Sequence, residues 1–391
     1  MANGDEIGLV MSGGGALAAY QVGFLRCLAR HFPDLRFPII TGISAGAINA
    51  AYLANRSGPL PDKVETLVEN WARLTPSQIF RVDSLSLAGH VFRWGLRLLM
   101  GRASRAIKVQ SLLDNRPLRA LLEHLLIPVD GQLPGIQHNI DQGELRAIAI
   151  TASSYSTGRS VTWVQGRDIP RWERAHRMSI HCGLTIDHIL ASAALPIFFP
   201  AVWIEGAWYG DGGILLTAPL SPAVHLGATR ILAISTRYAR DNERIDDSGL
   251  SDYPPPALIL GSLFDALFLD LFDGDALRLK RINQLIESLP EEERHGMRPI
   301  DLLLLRPSRD LGRLANEYEA ELPRAFRFMT RGLGTQEIRS NDLLSILMFQ
   351  PDYLKRLIDL GCADAEARKD EIAAFLKAPP RLTASSRACG S

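Results

Sequence analysis

The sequence lacks most of what a mechanism based on bulk charge, cross-linking or membrane insertion would need. Lys plus Arg and Asp plus Glu both number 43, so no global field draws in nucleic acid or another polyanion. Cysteine is scarce. Cys27, Cys182, Cys362 and Cys389 lie far apart and form no C-x-x-C pair, which argues against a zinc site or a disulfide framework and suits a reducing compartment. No stretch approaches the roughly 20 consecutive apolar residues of a membrane span. The N-terminus is acidic, and its apolar run Ile7–Met11 is too short for a signal peptide. A cytoplasmic protein is therefore expected, with any membrane contact made from the surface. No internal repeat and no heptad run is present.

What remains is an ordinary globular chain of 391 residues, 47% hydrophobic and 22% charged, long enough for one large domain or two smaller ones. Short apolar runs read as buried strands at residues 7–11, 37–41, 144–151, 230–236 and 301–306. A hairpin is expected at 159–165 against 144–151, and another at 202–209 across Glu205-Gly206. Helical patterns cover 16–30, much of 62–125, 263–271, 277–289, 311–331 and 341–360, whereas 128–141 reads as a loop. Thr185 or Asp187 caps a short helix that Pro196 ends. Residues 85–107 mix Trp and aliphatic side chains with Arg93, Arg97, Arg102 and Arg105, as in an interfacial or lid segment or a packed cap helix.

Three short motifs carry chemistry. The first is Gly42-Ile43-Ser44-Ala45-Gly46, a G-x-S-x-G between an expected strand and an expected helix. In such an elbow the serine is raised into a cleft near a helix N-terminus, and Gly42 and Gly46 allow the backbones to approach. The second, Ser12-Gly13-Gly14-Gly15-Ala16, follows the first strand and can present backbone N–H groups to an anion. Gly13, Gly15 and Ala18 also match G-x-G-x-x-A, a dinucleotide fingerprint, but the next strand ends in the serine elbow and not in a ribose-binding acid. Two loops after successive parallel strands emerge at one sheet edge, which favours an oxyanion hole of Gly13, Gly14 and Gly15 beside Ser44. The third, Asp211-Gly212-Gly213, follows the expected hairpin. An aspartate in a partly dehydrated cleft can take the serine proton directly. His176, His181, His188 and His225 are the competing bases, and none has a motif around it.

Taken together and in this order, the three motifs resemble the patatin-like phospholipases. Residues 19–23 (Ala-Tyr-Gln-Val-Gly), 191–196 (Ala-Ser-Ala-Ala-Leu-Pro) and 219–222 (Pro-Leu-Ser-Pro) resemble the family's flanking sequence. The resemblance implies a three-layer α/β/α hydrolase with a mainly parallel central sheet, a catalytic domain over 5–240 whose sheet is completed by 300–307, and a helical region over 241–391 with a frayed tail. It implies Ser44 as nucleophile, Asp211 as base, Gly13, Gly14 and Gly15 as the oxyanion hole, Gly42 and Gly46 supporting the elbow, Gly212 and Gly213 supporting the base loop, and no metal or cofactor. The substrate is then a phospholipid, lysophospholipid or other acyl ester, with no nucleic-acid partner and with peripheral membrane contact. An acyltransferase with the same dyad, or a catalytically weak lipid-binding scaffold, are the alternatives. Two positions depart from the family: Leu17 and Ala18 stand where the loop usually continues Arg-Gly, and residues 214–217 are mostly apolar. Both make the site less polar and tilt it toward an uncharged acyl substrate.

Overall fold

The computed structural model describes residues 6–81, 111, 113–238, 256, 258–259, 261–263, 271–322, 327 and 341–378. The segment 85–107, nearly all of 241–256, most of the helix expected over 263–271 and the tail from 379 lie outside the described residues. Strand β1 (Ile7–Met11) leads through a one-turn 3-10 segment (Gly15–Leu17) into α1 (Ala18–His31), and β2 (Ile39–Ile43) leads into α2 (Ala45–Asn55). Helices α3 (Leu60–Ala72), α4 (Pro76–Ile79), α5 (Arg116–Leu126) and α6 (Pro134–Asp141) precede β3 (Ala147–Ser154) and β4 (Arg159–Gly166). Then come β5 (Glu173–Arg174), β6 (Arg177–His181), α7 (Ile186–Ser192), β7 (Val202–Ile204), β8 (Ala207–Gly210), α8 (Ser221–His225) and β9 (Arg230–Ile234). The described remainder is α9 (Leu271–Ser288), β10 (Asp301–Leu305), α10 (Leu311–Asn316), α11 (Asp342–Leu347), α12 (Pro351–Ala367) and α13 (Lys369–Lys377).

The fold is the expected α/β class with a central, mostly parallel sheet. Its order is β10-β9-β1-β2-β3-β4-β6-β5, and the first five strands are mutually parallel. Successive side chains of a strand point to opposite faces. Leu9, Met11, Ile40, Ile148, Ile150, Leu232 and Ile234 therefore pack into one core with α1, α2, α3 and α12. Val10, Ile39, Ala147, Ala149, Ile231 and Ala233 pack into the other, against Leu220, Ala223 and Phe272. Burial on both faces explains why these strands read as continuous apolar runs and not as alternating ones.

Three expectations need correction. Residues 128–141 are not all loop: Pro134 opens α6 at a position where its missing N–H costs nothing, and Ile136 and Ile140, one turn apart, are buried. The single helix expected over 341–360 is two, because Pro351 lacks an N–H and its ring disfavours helical backbone at Gln350, which is extended. The helix expected from 311 likewise ends early, at Asn316, with a 3-10 turn at Glu319–Glu321.

Helices α1 and α12 pack at backbone distance. A Cβ built on Gly23 would stand 1.9 Å from the Ile358 carbonyl oxygen, and one on Gly361 would stand 2.1 Å from that of Tyr20. The Tyr20 hydroxyl donates to Asp364 across the same contact at 3.0 Å. Replacing Gly23 with Ala must push the two helices apart, because the obstacle is main chain and not a pliable side chain. The expected cost is about 2–3 kcal/mol, read as a fall in the unfolding midpoint of the full chain.

Candidate active site

The site is built on the unequal lengths of neighbouring strands. β2 pairs with β3 up to Ile43 opposite Thr151, but β3 runs on to Ser154. The vacated ladder positions are filled from the opposite direction by β8, with Gly210 opposite Ser153 and Tyr209 opposite Ser154. The two strands thus meet end to end along one edge of β3. Ser44 leaves one of them and Asp211 leaves the other, so two residues far apart in sequence arrive at one point.

Ser44 sits with φ 55° and ψ −131°, backbone that side-chain-bearing residues rarely adopt. Close packing holds it there. A Cβ on Gly42 would stand 2.5 Å from the Gly46 carbonyl oxygen, and one on Gly46 would stand 2.3 Å from that of Ser12. The Ser44 N–H donates to Ser192 Oγ at 3.0 Å, and that hydroxyl donates to the Thr151 carbonyl at 2.6 Å. Ser192 also binds the other half of the site, since its carbonyl accepts from the Gly212 N–H at 3.1 Å, while the Asp211 N–H donates to the Ala194 carbonyl at 3.0 Å.

Asp211 is fully buried. Its Oδ1 accepts from the Gly213 N–H at 2.9 Å, and its Oδ2 has no hydrogen bond among the described residues. Burial pushes its carboxyl up to about 7, against smaller opposing effects of the neighbouring Ser44 hydroxyl and the Gly213 N–H. The Ser44 hydroxyl neighbours this carboxyl. Gly212 is pressed against the Thr151 carbonyl, where a Cβ would stand at 2.1 Å.

The glycine loop lies across the same edge. A Cβ on Gly13 would stand 2.9 Å from the Ser44 Cβ. Gly14 has φ +134° and faces Thr236; Gly15 has φ +57° and lies against the Ile346 carbonyl of α11. Among the described residues, the N–H groups of Gly13, Gly14 and Gly15 have no hydrogen-bond acceptor, whereas the Gly13 carbonyl is held by the Thr236 hydroxyl at 2.7 Å. A buried chain of polar groups fixes the loop from below: Trp71 donates to Asn49, Asn49 to Gln21, and Gln21 to the Ser12 carbonyl. Leu17 is buried in the core and does not face the site as a polar residue would.

The four competing histidines serve elsewhere. His188 closes the capping box of α7 with Thr185, packs on the Trp163 ring at 4.5 Å, and burial pushes its imidazole down to about 4. His225 stacks on Trp172 at 4.7 Å. His176 is exposed, and His181 lines a separate polar pocket with Cys182 and Gln165.

From Ser44 a largely apolar cavity of about 240 Å³ runs between α2, α3 and α5, lined by Ala45, Ile48, Leu67, Trp71, Leu122 and Leu195. Ile346, Leu347 and Phe349, from α11 and its exit, complete its wall, and the exposed Arg73, Gln78 and His124 also border it. In the sequence Ser192 and Gln21 stand only as flanking residues of the motifs, and Thr236, Asn49 and Ile346 carry no motif that signals a role at the site. Buried polar side chains in otherwise apolar helices were the available signal for Gln21, Asn49 and Ser192.

A family model for patatin-like phospholipases matches residues 9–224. Among solved structures, human GIVD cytosolic phospholipase A2 is similar in fold, with a TM-score of 0.50 at 11% identity over 96% of this chain and 62% of that one. VipD from Legionella pneumophila gives 0.33 at 13% identity over 91% and 67%. ExoU in its heterodimeric complex with SpcU from Pseudomonas aeruginosa gives 0.30 at 15% identity over 95% and 77%. The last two likenesses are too low to add to the fold assignment. This chain spans about three fifths of the human phospholipase chains it matches. A search of curated protein sequences finds no match. With the family model covering more than half of the sequence, from β1 into α8, the chain belongs to the patatin-like phospholipase family.

Proposed function

We propose that the protein is a serine lipid acyl hydrolase in which Ser44 is the nucleophile and Asp211 its base. The observation that carries the reading is the meeting of β2 and β8 on β3, which sets a strained serine beside a buried carboxylate at the head of an apolar cavity. Asp211 Oδ2 takes the Ser44 proton as Oγ attacks the ester carbonyl carbon. The oxyanion that forms is met by N–H groups of Gly13, Gly14 and Gly15; the Ser44 N–H is already committed to Ser192. Collapse of the tetrahedral intermediate breaks the carbonyl–alkoxy bond, and the departing alcohol recovers the proton from Asp211. Water then repeats the sequence against the acyl-serine, releasing a fatty acid and restoring Ser44.

The cavity supports an acyl chain as the group held during both steps, with chain burial excluding water from the dyad. Contact with a lipid surface is supported by the β7–β8 hairpin. Trp203 and Trp208, 54% and 42% exposed, pack edge to face at 5.0 Å on the strand pair that delivers Asp211. No helix among the described residues is long and apolar enough to cross a membrane.

Ser44→Ala and Asp211→Asn should each lower ester hydrolysis by about 10³-fold or more, with fluorophosphonate labelling lost in the first. Full activity of Asp211→Asn would reject the dyad. Because the base works only when ionised and burial has raised its pKa to about 7, kcat/KM should climb about tenfold per pH unit below 7 and level off above it. A profile already flat at pH 5 would contradict this.

Ser192→Ala removes the acceptor of the Ser44 N–H and should cut kcat about tenfold, equivalent to about 1.4 kcal/mol of lost positioning, with KM nearly unchanged. A fall in KM-dependent terms alone would argue against it. Trp203→Ala with Trp208→Ala should weaken vesicle sedimentation and turnover of aggregated lipid while sparing soluble short-chain esters. Equal loss on both substrates would point to a packing role.

A further inference from the structure

The close packing of α1 on α12 has a consequence at the end of α1 remote from the glycine loop. With Gly23 against Ile358, the next turns of the two helices bring Cys27 beside Cys362 and His31 beside Glu366. Each helix contributes its pair at i, i+4 spacing, so all four side chains lie on facing stripes. His31 Nε2 lies 2.5 Å from Glu366 Oε2, and Cys27 Sγ lies 3.4 Å from the same oxygen. One donor atom from each of Cys27, His31 and Glu366 falls within 4.8 Å of the other two. Cys362 stands one turn before Glu366 on α12, and no cysteine among the described residues is in a disulfide.

The geometry points to a zinc site in which Cys27, His31 and Glu366 are ligands and Cys362 is the fourth donor. One or two sulfurs, an imidazole and a carboxylate are the donors zinc takes, and hard cations such as calcium or magnesium would reject the thiols. Zinc bonds of about 2.0–2.3 Å put tetrahedral ligand atoms roughly 3.3–3.8 Å apart, close to the spacing of the Cys27, His31 and Glu366 donor atoms, which all lie within 4.8 Å of one another. Cys27 is buried, and the side chains of His31 and Glu366 are 27% and 55% exposed, which gives an ion a path from solvent. Each ligating thiol releases its proton to solvent, His31 binds through the Nε2 lone pair, and Glu366 exchanges its contacts with His31 and Lys369 for the metal.

The ion would clamp α12 to α1. Helix α11, which immediately precedes α12, lies against Gly15 and walls the cavity with Ile346, so the clamp would hold in place the part of the chain that closes the apolar site. This assignment stands independently of the roles of Ser44 and Asp211, because none of its ligands touches either residue.

The test uses the untagged full chain, stripped with a chelator under reducing conditions and titrated with Co²⁺ and then Zn²⁺. One Co²⁺ per chain should bind with a thiolate charge-transfer band and the visible bands of four-coordinate cobalt, and Zn²⁺ should bleach both. Zn²⁺ should raise the apparent Tm by a few degrees. Cys27→Ser should weaken the near-ultraviolet band and Cys27→Ser with Cys362→Ser should abolish it, and the part-exposed variants His31→Ala and Glu366→Gln, which keep the buried core intact, should weaken binding at least tenfold. Cys182→Ser should bind like the parent. Absence of the band and of any Tm shift would overturn the assignment, as would unchanged binding in His31→Ala. Recovery of a Cys27–Cys362 disulfide in protein alkylated at lysis would also overturn it, since the thiols would then serve a covalent link.

Discussion

Strand β3 outlasts β2 at the edge of the sheet, and the backbone donors and acceptors it leaves there must be paired. β8 pairs them by entering antiparallel, in line with β2 but from the opposite side. Hydrogen-bond register thereby sets where the two chain ends meet, and with it the separation of Ser44 from Asp211. Ser192 reinforces the junction by bonding to Ser44, Thr151 and Gly212 at once. A hairpin displaced by one residue would turn Tyr209 outward and Trp208 inward, and would carry Asp211 away from the serine.

Around this junction the fold withholds solvent from polar groups. Asp211 is buried with one oxygen unpaired among the described residues, a costly state for a carboxylate unless it is protonated or has a donor at hand. The same burial raises its proton affinity to the range where it can accept a proton and return it. Ser44 holds rarely populated backbone because Gly42 and Gly46 let helix and strand approach until no other geometry fits. Neither feature is stable alone; both persist because the two cores on either side of the sheet over-determine the backbone between them.

Much of this was readable from local sequence. The strand runs, the Gly-Gly-Gly loop, the serine elbow and the Glu205-Gly206 turn announced themselves because short-range sterics and burial leave few other uses for those residue patterns. Helix limits were less legible: Pro351 broke a helix that the apolar periodicity carried straight through, and α6 formed within a Pro/Gly-rich stretch on the strength of Ile136 and Ile140. Leu17, which as a sequence position looked like a gap in a polar site, is a core residue whose side chain the fold uses for packing.

By itself the sequence determined the kind of elements, the order of the three motifs and the apolar character of both sheet faces, since these follow from interactions within a few residues. Only the tertiary structure decided which groups meet. The pairing of Ser44 with Asp211 depends on strand register, the cavity wall depends on α11 returning to the glycine loop, and the Cys27–His31 face meets Cys362 and Glu366 only because Gly23 and Gly361 let two distant helices touch. Spacing rules for cysteine ligands operate within a loop or a turn, so a site divided between helices 335 residues apart leaves no mark in the sequence.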